Sequence, residues 1–271
     1  MRPEYLSVYL DAHVPLLYAH RGYSKRAPEN TLAAFAAALS ASIPGVELDV
    51  HRARSGELVV IHDFNLKRIT GEDLIVEECD LPTLRSLDAG AWFGAPFAGE
   101  RIPLLSEVLD TLSDRVYYDI EIKSRAVDDS SLASALVGLI RAKRLTRRCL
   151  ISSFNPYALR AAKRLAPEIP TAVIYSNDRE ILPFLRHGEG RFISGCQVLK
   201  PDRRKITPVG MFVNQRMLGY PVITWTVDDA GVADRLLKRG VTGLISNDPE
   251  PLLALTEGDW RHRKRVGRRD R

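Results

Sequence analysis

The sequence predicts a parallel α/β fold and, in particular, a TIM (β/α)8 barrel. Short apolar runs of strand character recur along the 271 residues, and patterns with helical spacing fill most of the gaps between them. Strand and helix alternate to the end of the chain, which indicates a parallel sheet. The length suits the eight βα units of such a barrel. An open, doubly wound sheet is the alternative that this pattern leaves open.

Each predicted strand is a short apolar run or an alternation of apolar and polar residues. The strands cover residues 16–20, 45–51, 58–62, 116–123, 149–153, 171–175, 196–199, 221–227 and 243–246. The runs at 45–51 and 58–62 are joined by RARSGE, in which Ser55-Gly56 is a turn signal, so we predict that they form a hairpin. Counting the hairpin as one unit leaves eight βα units.

The predicted helices cover residues 32–42, 104–112, 132–144, 157–165, 179–186, 208–218, 231–239 and 250–255. From 64 to 103 no helical period is visible, while glycines, prolines and aromatic residues are frequent. A long irregular connection in a compact domain is usually functional, so we predict a small cap here over one mouth of the barrel. Because no linker interrupts the pattern, residues 1–258 are predicted to form one domain, followed by a tail at 259–271.

The overall composition is that of a globular protein, with 45% apolar and 27% charged residues. No run approaches the roughly 20 apolar residues that cross a bilayer. The amino-terminal stretch lacks the apolar segment of a secretory signal. Cys79, Cys149 and Cys196 are far apart and odd in number, which favours neither a disulfide framework nor a zinc cluster. These features predict a cytoplasmic protein.

The net charge of +5 comes from the carboxyl-terminal tail. Residues 259–271, DWRHRKRVGRRDR, contain seven Lys or Arg and two Asp, so the rest of the chain has a net charge of zero. We therefore expect no nucleic-acid-binding surface on the barrel. We predict that the tail is a solvated, disordered end; a weak contact with an anionic membrane, or with nucleic acid, is the alternative.

Carboxylates alternate with apolar residues on two of the predicted strands. In GVELDVHRA, Glu47 and Asp49 share one strand face, and in YYDIEIKS, Asp119, Glu121 and Lys123 do the same. If the apolar residues face the surrounding helices, these carboxylates point into the barrel, where adjacent anions repel unless a cation neutralises them. Converging carboxylates suit a hard cation such as Mg²⁺ or Ca²⁺. A buried Lys–Glu network without metal is the alternative.

Two histidines end strands near these carboxylates. His20 ends the first predicted strand, and His62 ends the second strand of the hairpin. A single histidine at a strand end is more often structural than catalytic. Two of them beside an acidic pair offer one proton acceptor and one proton donor, which the cleavage of an ester with a poor leaving group requires.

Several motifs in order along the chain resemble the glycerophosphodiester phosphodiesterases. They are AHRGYSKRAPENT, VELDVHRARSGELVVIHD, RITG, IPLLSEVL, DIEIK, ISSFNP, ITWTVDD and GVTGLISNDP, and they extend from His20 to about Pro249. The ordered set is far more specific than the HRG tripeptide alone. The family fold is a TIM barrel with a small insertion after the hairpin, which agrees with the pattern above.

The resemblance implies a reaction and a set of site residues. The reaction is the hydrolysis of a glycerophosphodiester to glycerol 3-phosphate and an alcohol, a step of lipid and glycerol metabolism. One divalent cation, Mg²⁺ or Ca²⁺, is the implied cofactor. The implied metal ligands are Glu47, Asp49 and Glu121, the acid/base pair is His20 and His62, and the phosphate contacts are Arg21 and Lys123. Trp225 is expected to line the substrate pocket, with plain barrel packing as the alternative.

Three further positions carry expectations of their own. Asn30-Thr31 is expected to start the helix at 32–42, which is a capping role. The sequence has Asp228 where the family often has Asn, and Ser246-Asn247-Asp248 where it often has Thr-Asp. We expect neither departure to fall on a catalytic residue.

Two other functions stay open from the sequence. A lysophospholipase D or sphingomyelinase-like lipid hydrolase on the same fold would need an apolar groove beside the phosphate. Trp92, Phe93 and Phe97 of the predicted cap are candidates for such a groove. A non-catalytic phosphate-ligand binder is disfavoured, because the whole set of catalytic residue types is present.

Removal of the basic tail tests the separation of its charge from the barrel. Deletion of residues 260–271 is expected to leave turnover of a soluble glycerophosphodiester within a few-fold of the intact chain, because the tail follows the last predicted barrel element. The measurement is the steady-state rate of both chains. A loss of roughly a hundredfold would mean that the tail reaches the site. If the tail binds anionic liposomes, that binding should fall steeply as salt rises.

Overall fold

The computed structural model describes Tyr9 and residues 15–125, 130–179 and 181–256, and the predicted tail at 259–271 lies outside them. Within these residues the strands are β1 (Leu16–His20), β2 (Gly45–Arg52), β3 (Leu58–Val60), β4 (Tyr117–Ile122), β5 (Cys149–Ser153), β6 (Thr171–Tyr175), β7 (Val198–Pro201), β8 (Ile223–Thr224) and β9 (Gly243–Ser246). The strand order is β7-β6-β5-β4-β2-β1-β9-β8, and single bridges from Leu199 to Val222 and from Asp202 to Trp225 join β7 to β8. These eight parallel strands form a nearly closed barrel, so the TIM-barrel prediction is confirmed.

The described helices lie in the connections between the strands. They are α1 (Leu32–Ser40), α2 (Lys67–Thr70), α3 (Leu81–Ser86), α4 (Leu105–Leu112), α5 (Ser130–Ala142), α6 (Pro156–Leu165), α7 (Gly190–Ser194), α8 (Pro208–Met211), α9 (Ala230–Lys238) and α10 (Leu253–Thr256). β3 pairs antiparallel with β2, with Val60 opposite Val50, which confirms the predicted hairpin. No helix in the described part of the chain is long and apolar enough to cross a membrane.

The connection between β6 and β7 differs from the prediction. The helix predicted at 179–186 is wrong, because the described residues of this stretch contain only the 3₁₀ turn Pro183–Leu185. Pro183 lacks a backbone N–H, and in a helix its ring would clash with the carbonyl of residue 179. The helix of this unit is α7, which ends at the left-handed Gly195. β7 consequently starts at Val198, two residues later than predicted.

Most other predicted elements differ by one or two residues at an end, and three predicted stretches differ more. The helix predicted at 208–218 is divided into α8 and a π-helical segment, Phe212–Met217. The strand predicted at 221–227 is reduced to the two residues of β8. The stretch at 64–103, predicted to lack helical periodicity, contains the short helices α2 and α3, each of which is too brief to show a period in the sequence.

Strand residues alternate between an outer and an inner side of the barrel. On the outer side, residues such as Leu48, Ile120 and Leu199 pack with helix residues such as Leu136. The inner side has an apolar floor, which consists of Tyr9, Tyr18, Leu150, Ala172, Val198, Ile223 and Ile245. Polar inner-side residues follow two positions later on several strands, so they lie nearer the carboxyl ends of the strands.

The segment between β3 and α4 packs around an apolar cluster of its own. The buried members are Ala53, Val59, Ile61, Leu66, Ile69, Val76, Cys79, Leu84, Ala89 and Ile102. The carbonyl of Pro103 accepts a hydrogen bond from the backbone of Val60, at 2.9 Å, so the segment returns to the hairpin from which it leaves. We refer to residues 64–103 as the cap.

Truncation of a cap core residue tests the packing of the cap. Leu84→Ala is expected to lower the free energy of unfolding by about 2–5 kcal/mol, because the side chain is fully buried and the cavity cannot collapse completely. Glu72→Ala, at an exposed position of the same cap, serves as the control and should change stability by less than about 0.5 kcal/mol. Chemical denaturation of both variants provides the measurement. Equal stabilities for the two variants would contradict a packed cap core.

Candidate active site

Three carboxylates meet inside the barrel near the carboxyl ends of β2 and β4. Glu47, Asp49 and Glu121 are buried, and one oxygen of each lies within 4.8 Å of the others. β2 and β4 pair with Asp49 beside Glu121, so the alternation seen in the sequence brings all three side chains to the same inner face. We refer to these residues as the carboxylate triad. This end of a TIM barrel is where the active sites of barrel enzymes lie.

Negative charge is crowded in the carboxylate triad. Burial raises the pKa of Glu47 to about 8; Lys200 opposes this shift, and the neighbouring carboxylates add to it. Burial would also raise the pKa of Asp49, but Lys123 and other cations outweigh it and hold that pKa well below its usual range. Asp49 Oδ1 accepts no hydrogen bond from the described residues, and Lys123 Nζ lies 3.4 Å from it. Such a buried carboxylate oxygen beside two further carboxylates fits a hard divalent cation.

Both predicted phosphate contacts lie against the carboxylate triad. Lys123 Nζ lies 2.8 Å from Glu121 Oε1. Burial lowers the pKa of Lys123, but the two neighbouring carboxylates outweigh burial and leave this pKa above its usual value. Arg21 Nε lies 3.5 Å from Asp49 Oδ2, and the backbone N–H of Arg21 donates to Glu47 Oε2 at 3.2 Å. The structure therefore brings these two cations together at the mouth of the barrel.

Lys200 is a buried cation of the site that the sequence analysis missed. Its Nζ lies 2.9 Å from Asp119 Oδ2 and 3.3 Å from Glu47 Oε1. Asp119, which shares a strand face with Glu121, is therefore paired with Lys200 and does not belong to the carboxylate triad. The strand alternation could have revealed Lys200, because it follows the inner-side residue Val198 by two positions and therefore also faces the inside of the barrel. The predicted strand ended one residue before Lys200.

The turn after β1 explains the HRG motif in physical terms. Arg21 and Gly22 both have left-handed backbones, with φ of 56° and 77°. A Cβ on Gly22 would lie 2.7 Å from the Cβ of Ala34 in α1, which is closer than any side chain tolerates. Glycine is therefore required where the turn approaches α1. The turn directs the backbone N–H of Arg21 toward the carboxylate triad.

His20 contacts the side-chain amide of Asn247, and Asp228 fixes the orientation of that amide. Asp228 accepts hydrogen bonds from the backbone N and from Nδ2 of Asn247, at 2.7 and 3.0 Å. Asn247 Oδ1 therefore faces His20 Nδ1, 2.7 Å away, and because an amide oxygen only accepts, His20 donates from Nδ1. His20 Nε2 then faces Glu47 Oε2 at 3.8 Å. Burial, together with the adjacent Arg21, lowers the pKa of His20 to about 3.

The two positions that depart from the family pattern therefore lie next to His20. Asn247 contacts the imidazole directly, and Asp228 orients Asn247. The sequence analysis expected these departures to avoid catalytic residues. The motifs that contain the departures lie close to His20 because β1 and β9 are neighbours in the barrel.

His62 and Arg21 are connected through the cap. His62 Nδ1 lies 2.6 Å from Asp63 Oδ1, and Arg68 Nε donates to Asp63 Oδ2 at 2.5 Å. Arg68 also donates to both oxygens of Glu29, at 2.6 and 3.1 Å. Glu29 Oε1 in turn accepts a hydrogen bond of 2.7 Å from Arg21. The sequence analysis singled out the RITG motif, which begins at Arg68, without giving it a role.

Asn30 has a different role from the one expected, whereas Thr31 has the expected one. Thr31 is the N-cap of α1, and its hydroxyl accepts from the backbone N–H of Ala34 at 3.3 Å. Asn30 instead donates from Nδ2 to Asp49 Oδ2 at 2.9 Å. The Asn30 backbone is left-handed, with φ of 58°, a conformation that asparagine tolerates better than most residues. Asn30 therefore orients a member of the carboxylate triad.

Trp225 lies at the end of β8, beside the strand that carries Lys200. Its indole N–H donates to the Lys200 carbonyl at 3.1 Å, and its ring packs edge-to-face on Phe154, with centroids 5.8 Å apart. The side chain is partly buried and also contacts the apolar floor of the barrel. These contacts fit both a pocket wall and barrel packing.

Known proteins resemble the chain over the whole barrel. The profile of the glycerophosphoryl diester phosphodiesterase family matches residues 20–251. A glycerophosphodiester phosphodiesterase of Caldanaerobacter subterraneus is 35% identical over 254 residues, which cover 89% of this chain and 97% of the relative.

Solved structures of the same kind share the fold. An Oleispira antarctica phosphodiesterase in complex with the product sn-glycerol-3-phosphate matches with a TM-score of 0.79 at 29% identity, over 89% of this chain and 96% of that one. A glycerophosphodiester phosphodiesterase from Agrobacterium tumefaciens matches with a TM-score of 0.73 at 26% identity, over 89% of this chain and 99% of that one. The chain therefore belongs to the glycerophosphoryl diester phosphodiesterase family and is an enzyme of that class.

Proposed function

We propose that the chain hydrolyses glycerophosphodiesters to glycerol 3-phosphate and an alcohol, and that it depends on one divalent cation, Mg²⁺ or Ca²⁺. The observation that carries this proposal is the buried carboxylate triad, which three cations, Arg21, Lys123 and Lys200, contact. The Oleispira antarctica relative was solved with sn-glycerol-3-phosphate as its product, which supports this choice of product. Three free, buried cysteines support the predicted cytoplasmic location.

The carboxylate triad would hold the cation. A divalent cation bound there would supply Lewis-acid stabilisation of charge on a phosphoryl oxygen. The donor set consists of carboxylate oxygens, which suits Mg²⁺ and Ca²⁺ better than cations that prefer nitrogen or sulfur. Lys200 holds Glu47 through an ion pair, and Asn30 holds Asp49 through a hydrogen bond.

Arg21 and Lys123 would bind the phosphate of the substrate. Arg21 is held by Glu29 and Asp49, so its guanidinium is oriented before the substrate arrives. Donors that are oriented in advance stabilise the charge that develops in the transition state without further reorganisation. Lys123 adds a point charge from β4, on the other side of Asp49.

The hydrogen-bond partners of the two histidines differ, which supports different roles for them. His20 donates from Nδ1 to the neutral amide of Asn247, which leaves Nε2 as a proton acceptor for the attacking hydroxyl. His62 Nδ1 instead lies 2.6 Å from the carboxylate of Asp63, an anionic partner where His20 has a neutral one. We therefore assign His20 as the base and His62 as the acid that protonates the leaving oxygen. The attacking hydroxyl belongs to water or to the glycerol 2-position of the substrate.

A lipid substrate is the second candidate, and one feature of the cap favours it. Phe93 packs edge-to-face on both Trp92 and Phe97, and Trp92 remains 43% exposed. An exposed aromatic cluster could contact an acyl chain. Comparison of turnover on glycerophosphocholine and on lysophosphatidylcholine separates the two candidates, since a lipid hydrolase would favour the second substrate.

A coupled assay for glycerol 3-phosphate tests the proposed function. The intact chain is incubated with glycerophosphocholine, glycerophosphoethanolamine and glycerophosphoglycerol, with Mg²⁺ or Ca²⁺ and with EDTA. Release of glycerol 3-phosphate that requires the cation supports the proposal. Binding of these diesters without any release would instead identify a non-catalytic phosphate-ligand binder.

Removal of one charge from the carboxylate triad tests its role in cation binding. Glu47→Gln keeps the size of the side chain but removes a ligand charge, so cation affinity and rate are expected to fall together. The fall should exceed the roughly 10–100-fold loss that is typical of an outer-shell change. A higher cation concentration should recover part of the rate. Glu168→Gln, which removes a surface charge paired with Arg141, is the matched control. Full activity of the wild type after verified cation removal would contradict the proposal.

The two histidines are expected to act as a coupled pair. His20→Ala and His62→Ala should each lower kcat by roughly 10²–10⁴-fold on glycerophosphocholine. The double variant should lose much less than the product of these factors, since groups that act as a unit are not additive. A nitrophenyl ester, whose leaving group needs little protonation, should selectively rescue His62→Ala.

A surface histidine provides the control for this series. His187 is 72% exposed, so His187→Ala should keep the wild-type kcat on both substrates. If His20→Ala or His62→Ala keeps the wild-type kcat on glycerophosphocholine, that histidine is structural and the pair assignment is wrong. Selective rescue of His20→Ala would reverse the assignment of acid and base.

A further inference from the structure

Arg68, at the start of the RITG motif, has no role in the function proposed above. It lies between Glu29, which contacts Arg21, and Asp63, which contacts His62. Its guanidinium contacts Asp63 through Nε and both oxygens of Glu29 through its terminal nitrogens. Three charge-assisted hydrogen bonds of 2.5 to 3.1 Å hold one planar group between two carboxylates. Only arginine has a donor fork that satisfies this geometry.

Each carboxylate that contacts Arg68 also contacts one residue of the proposed machinery. Glu29 Oε1 accepts from Arg21 at 2.7 Å, and Asp63 Oδ1 lies 2.6 Å from His62 Nδ1. Among the described residues, no hydrogen bond or ion pair joins Glu29 to His62 or Asp63 to Arg21. Arg68 therefore connects, through these two carboxylates, Arg21 in the turn after β1 with His62 after the hairpin.

The charge balance shows why a cation is needed at this position. Burial would raise the pKa of Glu29, but hydrogen bonds and charge from Arg68 and Arg21 outweigh it and lower this pKa. Burial is likewise outweighed at Asp63, whose pKa lies below its usual range because His62 and Arg68 both donate to it. Without Arg68, each carboxylate would have one strong donor and one open oxygen, so both could rotate away from their active-site partners.

We infer that Arg68 is a positioning residue that holds Arg21 and His62 in their working orientations at the same time. The inference rests on the proposed roles of Arg21 in phosphate binding and of His62 in proton transfer. Loss of the Glu29 contact releases the guanidinium of Arg21, which weakens substrate binding. Loss of the Asp63 contact releases the imidazole of His62, which slows the chemical step. A single cap residue thereby ties the folding of the cap to the assembly of the site.

Arg68→Met and Arg68→Lys test this inference on the intact chain. Arg68→Met keeps the length and removes the charge, so we expect kcat for glycerophosphocholine to fall roughly 10–100-fold and KM to rise. Arg68→Lys should recover only part of the loss, because an ammonium is a point charge that cannot serve three acceptors in one plane.

The Glu29 contact and the Asp63 contact of Arg68 are expected to affect different kinetic constants. Glu29→Gln is expected mainly to raise KM, whereas Asp63→Asn is expected mainly to lower kcat. Addition of Arg68→Met to either variant should then give less than the product of the single effects, since the same contact is lost twice. Fully multiplicative effects in both double variants would overturn the inference.

Arg85 provides a matched control for a purely structural role. It also lies in the cap, in α3, and it binds Glu107 of α4 through two hydrogen bonds of 2.8 and 3.0 Å. Arg85→Met should lower the melting temperature as much as Arg68→Met but leave kcat and KM unchanged. If Arg68→Met keeps the wild-type kcat and KM, Arg68 only attaches the cap to the barrel and the inference is wrong. The proposed function fails separately, since in that case the wild type itself would release no glycerol 3-phosphate.

Discussion

Burial of several carboxylates inside one barrel is the constraint on which the rest of this structure depends. Two unit charges 4.8 Å apart repel by roughly 3.5 kcal/mol at an effective dielectric constant of about 20. One such repulsion is already a large fraction of the stability of about 5–15 kcal/mol of a typical domain. The barrel supplies Lys123, Lys200 and Arg21 against this repulsion, yet burial, with the neighbouring carboxylates, still raises the pKa of Glu47 to about 8. A divalent cation would offset the repulsion further, and the same cation would serve the chemistry.

The arrangement around the carboxylate triad follows from the topology of the barrel. β2 and β4 are neighbours, so two alternating strands bring their acidic faces together, and β7 contributes Lys200 from the opposite wall. The hairpin returns the chain toward Asp49, whose backbone carbonyl accepts a hydrogen bond from Ile61. His62 follows directly and leads into the cap. The cap thus begins two residues after His62, and its residue Arg68 returns to contact Asp63 and Glu29.

Local patterns in the sequence predict the parts of this site that lie on one strand. The alternation around Glu47 and Glu121 identifies their common face. His20 ends β1 as predicted, whereas His62 lies two residues beyond the end of β3, so the prediction that it ends a strand is wrong. The resemblance to the glycerophosphodiester phosphodiesterases then implies roles for these residues. The barrel and the hairpin were predictable for the same reason, since strand and helix periods are properties of short segments.

The parts that were missed are contacts between distant segments. Lys200 lies 153 residues from Glu47 along the chain, and no local period reports that the two meet. The alternation alone could not separate Asp119 from the carboxylate triad; the resemblance left Asp119 out, and its ion pair with Lys200 gives the physical reason. The Asp228–Asn247–His20 and Arg68 networks likewise depend on which strand neighbours which and on how the cap folds back. The wrong helix at 179–186 has a local cause, because the apolar residues around Pro183 imitate a helical period that proline cannot sustain.

Calorimetric titration of the chelator-treated, intact chain with Mg²⁺ and with Ca²⁺ is the most direct test that the carboxylate triad is a cation site. Asp49→Asn removes one charge at the centre of the triad, and Glu168→Gln removes a surface charge as the control. We predict saturable binding of a single cation by the wild type and by Glu168→Gln, and an affinity for Asp49→Asn that is weaker by at least an order of magnitude. Absence of saturable binding to the wild type, or unchanged affinity in Asp49→Asn, would contradict the account.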